Sequence, residues 1–468
     1  MYFRQMAGSL HLTTGKKTMF FFSIIILILV LLVAFIHFVQ GFFSAALSAI
    51  LAVFSAAIAV GFHESVVAWM RPGKLADSAN AVVLCSLFAG SYVLLRLLFD
   101  RTVPGNVRLQ STVDKIGAAV MGLIAGTVAA GVLAIAAQTM SFGASVFGYS
   151  RYAVSGRDEF SLQPDRNKNS ISRFIYDQMK SDKFEEKDVN HLLLPADDFV
   201  LGLVGMLSEG SLSGTSPLAA VHQDYLQEAF GTRVGIEVGA RRTATNLGPG
   251  TQVTVDGIYL RERLKAVMDS ELPEIRGGKN NTSVDPNATL PKDEVKLAKS
   301  DLKPADKQQQ ILIIRTFFDR NATDEKNDLV RFTPASVRLV GHDANGKARD
   351  YHPIGTMDTF GGGTFWPSRI DDAIFVRVTD KSGADLVFMI DNREDVLEGA
   401  VAAPSKTKTE IRPASAQAIK SGTFLEVKRL ARIDLSGKAA EIGPLPADPK
   451  VEVVRKNRLK APPSPTQQ

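Results

Sequence analysis

Residues Met19 to Val39 read MFFFSIIILILVLLVAFIHFV, an apolar run of about the 20 residues a helix needs to cross roughly 30 Å of hydrocarbon. Three more such runs follow, Phe42 to Phe62, Ala81 to Phe99 and Ile116 to Met140. In lipid every backbone N–H and C=O must find its partner inside the protein, which leaves an isolated apolar run no choice but a helix. The pattern therefore predicts a membrane domain over 19–140, an α-helical four-helix bundle of spans 19–39, 42–62, 81–99 and 116–140. A very tight turn near Gln40 and Gly41 joins the first two. Lys16 and Lys17 precede the first run as in a signal peptide, but its core is too long and no small-residue cleavage site precedes the next run.

Helices in lipid gain little hydrophobic drive from meeting and rely on close backbone approach, which small side chains permit. In the fourth run Ala118, Gly122, Gly126, Ala130 and Ala134 recur every four residues, with Gly122 and Gly126 as a GxxxG core. The second run offers Gly41, Ala45, Ala49, Ala57 and Gly61, interrupted by Val53. Both stripes are predicted packing seams, candidates to face each other. The rival is a solute path lined by small residues; such paths are normally marked by intramembrane charge, which is scarce here. Arg96 lies near a helix end, where it can snorkel.

These residues resemble the colicin V production (CvpA) family of bacterial inner-membrane proteins, which have four helices, a Gly-Phe turn after the first, and an Asp-Arg followed by glycines every four residues in the last. The chain carries Gly41-Phe42 at the turn and Asp114-Lys115 before the fourth run, with Gly122 and Gly126 at the later glycine positions and Ala118 in place of the first. It departs from the family at Gln40, where Arg is usual, and at Ser44 and Ala45, where a basic-acidic pair is usual; the acid often found at the start of the first helix is missing. The resemblance implies a multi-pass protein of the bacterial inner membrane linked to toxin production or envelope functions. In some relatives the four-helix unit anchors an extracytoplasmic serine protease. The residues so singled out, with the next small one in the stripe, are Gly41, Phe42, Asp114, Lys115, Ala118, Gly122, Gly126 and Ala130.

Orientation is contested. Arg4, Lys16, Lys17, Arg71, Lys74, Arg151 and Arg157 lie on the side of the N-terminus, against Arg101, Arg108 and Lys115 on the other, which by the positive-inside rule puts both termini in the cytoplasm. Starting at Met19, an equally plausible initiator that leaves 1–18 as a tail, removes three of the positives and nearly levels the tally. The resemblance implies the opposite topology, with the soluble region outside the cytoplasm, and that is the expectation taken forward.

The nine Lys and Arg up to Ser150 against four acids account for the whole net charge of +5, so the remainder is balanced and no nucleic-acid-binding surface is indicated. Cys85, the only cysteine, excludes a disulfide or a cysteine metal site within one chain. Residues 150–270 read as a mixed α/β segment, with helical spacing at Ser172 to Met179, Ala196 to Leu207 and Leu218 to Phe230, and a strand over Gly250 to Leu260. Residues 271–309, rich in Lys, Asp, Pro and Asn, read as a disordered linker. Beyond it QILIIRTFFD, SVRLVGHD, AIFVRVTD and DLVFMID, with turn signals at Asn345-Gly346 and Ser382-Gly383, predict an antiparallel β-sandwich over 310–400, similar by analogy to immunoglobulin-like modules. A strand-containing extension over 401–445 and a disordered tail over 446–468 complete the mainly β soluble part.

No catalytic set stands out. His191, His222, His342 and His352 have no metal-ligand spacing and read as solvated loop histidines. In Glu209 to Pro217, EGSLSGTSP, no Ser has the flanking glycines of a nucleophile elbow. Phe360 to Trp366, FGGGTFW, lacks the Lys-Ser/Thr of a phosphate loop and reads as a loop between strands, with an exposed aromatic patch as the minor reading. His63-Glu64 reads as an interfacial pair where the second helix leaves the membrane, its rival a proton relay. The expectation is a non-enzymatic envelope protein without cofactor, whose partners are the lipid bilayer and another envelope protein, with self-association open. The alternative is a small transport or channel component built from oligomerised bundles.

Overall fold

Four helices account for the apolar third of the chain: α1 (Phe3–Gln40), α2 (Phe42–Met70), α3 (Ala76–Thr102) and α4 (Ser111–Thr139). Each contains a stretch long and apolar enough to cross a membrane by length and composition: Phe21–Gln40, Phe42–Met70, Ser78–Thr102 and Ser111–Thr139. The computed structural model describes residues between 3 and 442; 71–75, 103–110, 141–145, 155–183, 187–191, 210–217, 234–252, 267–299, 319–328, 358–364, 371–373, 378–381, 399–415, 443–468 and a few isolated positions lie outside that description. The expected helix 172–179, the Ser/Gly loop at 210–217 and the tail fall there.

Helix α2 runs on to Met70 rather than stopping at Phe62. Its extra turns keep apolar residues at helical spacing, and Val67 is buried against Ala79 and Val83 of α3. His63 and Glu64 therefore sit inside a helix, not at its exit. Helix α4 is central, packed on α1 and α2, while α3 leans on α2 and leaves Val82, Val93, Leu94, Leu97 and Leu98 exposed.

After α4 come a short antiparallel pair, β1 (Tyr152–Val154) with β2 (Phe184–Glu186), and three helices, α5 (Ala196–Glu209), α6 (Leu218–Val221) and α7 (Tyr225–Arg233). Helix α5 begins after Pro195 with Asp197 and Asp198 in its first turn, where carboxylates favour the positive end of the helix dipole.

The strand-rich part is a nine-stranded sheet, a four-stranded sheet and a two-stranded ribbon. The large sheet runs, edge to edge, β14 (Ala416–Ala418), β17 (Ala439–Ile442), β3 (Val253–Arg261), β6 (Gln310–Phe318), β13 (Ser382–Ile390), β10 (Pro353–Met357), β11 (Phe365–Pro367), β4 (Leu264–Ala266) and β5 (Ser300–Leu302). The smaller sheet runs β16 (Ala431–Asp434), β15 (Phe424–Val427), β8 (Val337–His342) and β9 (Ala348–Tyr351), and β7 (Leu329–Phe332) pairs with β12 (Ile374–Arg377). On β6 alternate residues serve two cores, which explains its unbroken apolar run. Leu312 and Ile314 pack with Phe332, Leu339, Phe388 and Leu425, while Ile311 and Ile313 pack with Tyr259, Phe365 and Met389.

Four expectations change. The strand expected at 250–260 does not belong to a separate segment, because β3 runs antiparallel to β6 from Val253↔Phe318 to Arg261↔Ile311. The supposed extension supplies β17, parallel to β3, and the β15–β16 hairpin on β8, so the strands from 253 to 442 form one unit that the boundaries at 271, 310 and 401 cut through. Strand β5 lies inside the segment expected to be a disordered linker and pairs with β4. The β17–β3 and β11–β4 pairs are parallel, so the large sheet is mixed rather than purely antiparallel. Local alternation marks strands; it carries no information on which distant strand completes their hydrogen bonds.

Candidate functional site

Gly41, Phe42 and Asp114 meet at one end of the bundle. The Phe42 backbone N–H donates to Asp114 Oδ1 at 3.1 Å, so a carboxylate from α4 satisfies an orphan donor at the start of α2. Gly41 has φ +97° and lies so close to Asp114 that a Cβ would stand 2.9 Å from Oδ2. The Phe42 ring covers Gly117, where a Cβ would come within 2.5 Å of Cδ2. Lys115 is exposed and Ala118 buried.

The α4 stripe seats α1, not α2. A Cβ on Gly122 would stand 3.0 Å from Ala34 Cα and one on Gly126 2.8 Å from the Val30 carbonyl oxygen, and Ala130 packs with Phe22, Ile26 and Val30. On α2 the buried face is Ala45, Ala49, Ala52, Ala56 and Ala59, while nothing stands within 4 Å of a Cβ on Gly61. At 3.6 residues per turn a strict four-residue repeat drifts off the seam, so the far end of that stripe turns away. Arg96 does not merely snorkel; it donates to Ser44 Oγ and Ser48 Oγ of α2 at 3.0 Å each, and to Asp100 at 3.2 Å.

At the other end of α2 a buried charge cluster joins the bundle to the strand unit. Glu64 Oε1 accepts from Arg429 at 2.7 Å, and its Oε2 pairs with Arg432 and, at 3.2 Å, with His222 Nε2. His222, between α6 and α7, places Nδ1 2.5 Å from Glu228 Oε2, with an Arg338 nitrogen 3.3 Å away. Burial opposes charge on His222, but Glu228 and Glu64 outweigh it and push the imidazole up to about 9. Arg338 on β8 donates to Glu426 at 2.9 Å and to Asp350 and the Val221 carbonyl at 3.0 Å, and pairs with Glu228 at 2.9 Å. Burial likewise opposes ionisation of Glu228, yet Arg338 and His222 draw it down to about 2. Asp350 on β9 is the exception: burial pushes it up to about 8, with Glu228 adding and Arg338 opposing. It holds its proton at neutral pH. Arg432 on β16 donates to Glu426 Oε2 at 2.5 Å.

Tyr225, the first residue of α7, completes the joint. Its hydroxyl lies 2.8 Å from His63 Nε2, and His63 Nδ1 lies 3.0 Å from the Val60 carbonyl oxygen. Nδ1 therefore carries the proton and Nε2 accepts from the phenol. The Arg429 guanidinium covers the Tyr225 ring at 4.2 Å. Arg429 and Lys428 both adopt left-handed φ, +55° and +54°, in the β15–β16 hairpin tip. Non-glycine residues held there store about 1–3 kcal/mol each and persist only where surrounding contacts over-determine them.

The histidines are not solvated loop residues: His222 is buried, the half-buried His352 places Nδ1 2.9 Å from the Val337 carbonyl oxygen, and His342 Nε2 lies 2.8 Å from the Ala220 carbonyl oxygen. His191 lies outside the described residues. Phe365 is fully buried in β11, so it contributes to no exposed aromatic patch. Sequence reasoning also passed over Glu228, Arg338, Asp350, Glu426, Arg429 and Arg432. Arg338 in VRLVGH and Glu426 in FLEV did carry a signal, a single charge inside an otherwise apolar strand.

Glu64, Glu228, Asp350 and Glu426 each face a guanidinium or an imidazolium, and together these contacts tie α2, α6, α7 and both hairpins of the smaller sheet to one another. Among the described residues no group of three or more His, Cys, Asp or Glu is placed to hold a metal ion. No protein-family model, curated protein or solved structure matches the chain.

Proposed function

We propose that this is a multi-pass protein of the bacterial inner membrane whose four-helix bundle holds a β-sandwich-like interaction domain at a fixed attitude to the bilayer, as a non-enzymatic component of the envelope. The observation that carries the reading is Glu64, on a helix apolar enough to cross a membrane, gripped by Arg429 and Arg432 of the strand unit. A transporter gains by letting its soluble part move; a buried, strained ionic joint favours rigid presentation instead. The meeting of Gly41, Phe42 and Asp114 supports the resemblance to the colicin V production family, since those are the residues that carry it. The core shared by the large and small sheets supports the sandwich. On this reading the strand unit lies outside the cytoplasm and docks an envelope protein, with a link to toxin production or secretion.

The full chain is expected to resist extraction by alkaline carbonate, and a reporter fused after Gln468 to be active only outside the cytoplasm. Purified protein in liposomes is expected to pass no ions or small solutes. Flux that Gly122→Leu abolishes in a folded protein would replace the anchor with a channel, and labelling of a serine by a hydrolase probe would make it an enzyme.

A further inference from the structure

Helix α5 has no polar face. Ala196, Val200 and Val204 are buried against the bundle, and Gly131 of α4 is small because the Ala196 carbonyl and the Val200 side chain occupy the space a Cβ would take. The opposite face presents Phe199, Gly202 and Met206, with Phe199 44% and Met206 65% exposed and nothing within 4 Å of a Cβ on Gly202. Between Asp198 and Glu209 there is no charged residue, whereas a helix with one face in water carries polar side chains on it.

The position of this face identifies what covers it. Among the described residues, large exposed apolar side chains occur on α1–α4 and at Phe147, Leu193, Phe199 and Met206; the strand unit has none. Outside α5 and its neighbours Phe147 and Leu193, such side chains therefore belong to the bundle, and α5 lies against Gly131 of α4, two residues before the exposed Leu133. Gly131 lies about 12 Å short of the α4 C-terminus at 1.5 Å per residue, so α5 starts beside the apolar body of α4 rather than above it. Its 14 residues extend only about 21 Å, too short to cross. Its first-turn acids are occupied on the protein side, Asp197 by Gln138 at 2.9 Å and Asp198 by Arg151 at 2.5 Å. Trp69, 83% exposed near the end of α2, supplies an aromatic ring of the kind that marks the headgroup level.

We infer that α5 is a fifth, non-crossing membrane helix, its Phe199–Met206 face, with Phe147 and Leu193, in contact with the acyl chains of the leaflet nearest the strand unit. The inference rests on the reading of α1–α4 as spans, and its test separates the two. In a Cys85→Ser background, single cysteines replace Phe199, Met206, Val93 of α3 or Asn345 in an exposed turn of the strand unit. Each full chain is labelled with a small fluorophore and reconstituted in vesicles of equal parts phosphatidylcholine and phosphatidylglycerol. A quencher on the lipid acyl chain is expected to act at 199 and 206 within about twofold of its effect at 93, and aqueous iodide about fivefold less than at 345. Iodide quenching at 199 and 206 with 93 still lipid-quenched would place α5 in water and overturn the inference alone. Protection from both quenchers would mean that a protein surface, a second copy or a partner, covers the face, and would overturn it equally. Iodide quenching at 93 would overturn the spans themselves.

Discussion

Arg429 donates to Glu64 at 2.7 Å across 365 positions of sequence, joining a hairpin tip of the strand unit to the second apolar helix. Both side chains are largely withdrawn from water, 4% and 14% exposed, so neither charge has solvent to fall back on. Arg429→Ala is expected to destabilise the folded protein by about 3 kcal/mol, because it leaves Glu64 short of a buried partner. The double variant Glu64→Gln/Arg429→Met should recover part of that loss. Denaturant unfolding in detergent measures both, and additive losses would show that the pair is not coupled.

The hairpin tip itself should tolerate relief. Lys428→Gly removes a side chain from a residue at φ +54° while keeping the backbone N–H that donates to the Ser336 carbonyl. Stability is expected to rise by roughly 1 kcal/mol, against the usual cost of a new glycine. A clear fall in melting temperature would mean that the lysine side chain contributes more than its backbone conformation costs.

Alkaline pH should loosen the joint. The folded imidazole of His222 titrates at about 9 against 6.5 when free, so its contribution is complete below about 6.5 and is lost as pH rises through 9. Asp350, raised from 3.8 to about 8, holds a proton that the unfolded chain has already shed, so stability falls over that interval as well. Melting temperature in detergent is expected to fall steadily from about pH 6 to 10, and His222→Gln to flatten the upper part of the curve. A curve still rising above pH 7 would contradict both assignments.

Two glycines from the small-residue stripes should behave oppositely. Gly126→Leu drives a side chain into the α1 backbone at Val30 and is expected to cost at least 2 kcal/mol or to separate the helices. Gly61→Leu meets open space on α2 and should be close to neutral. Equal effects in a thermal aggregation assay would argue against the α1–α4 seam.

Inside the large sheet Asp385 and Arg315 are directly paired across β13 and β6, joined by two bonds of 2.8 and 2.9 Å and fully withdrawn from solvent. Asp385→Ala is expected to cost about 3–5 kcal/mol, seen as a lower unfolding midpoint, and Asp385→Leu/Arg315→Met to regain most of it.

The helices were legible because the signal is local: a run of apolar residues long enough to cross hydrocarbon states its own conformation, whatever packs beside it. Gly41, Phe42 and Asp114 were singled out through the resemblance, though not that they meet, and β6, β8 and β13 were legible through their short β-branched and aromatic runs. The extension of α2 to Met70 was missed because His63, Glu64 and Ser65 look like an exit until Val67 is seen to pack on α3.

What the amino-acid order settled by itself is the four apolar helices and the strands with the clearest apolar runs, β6, β8, β12 and β13, since hydropathy and periodicity act over a few residues. Tertiary structure alone decided that the α4 glycines receive α1, that β3 and β17 join the sheet of β6, and that Glu64 meets Arg429 and Arg432. Those choices depend on which surfaces the whole chain can bury at once, and a charge deep in a strand finds its counter-ion only when the fold brings one within about 3 Å.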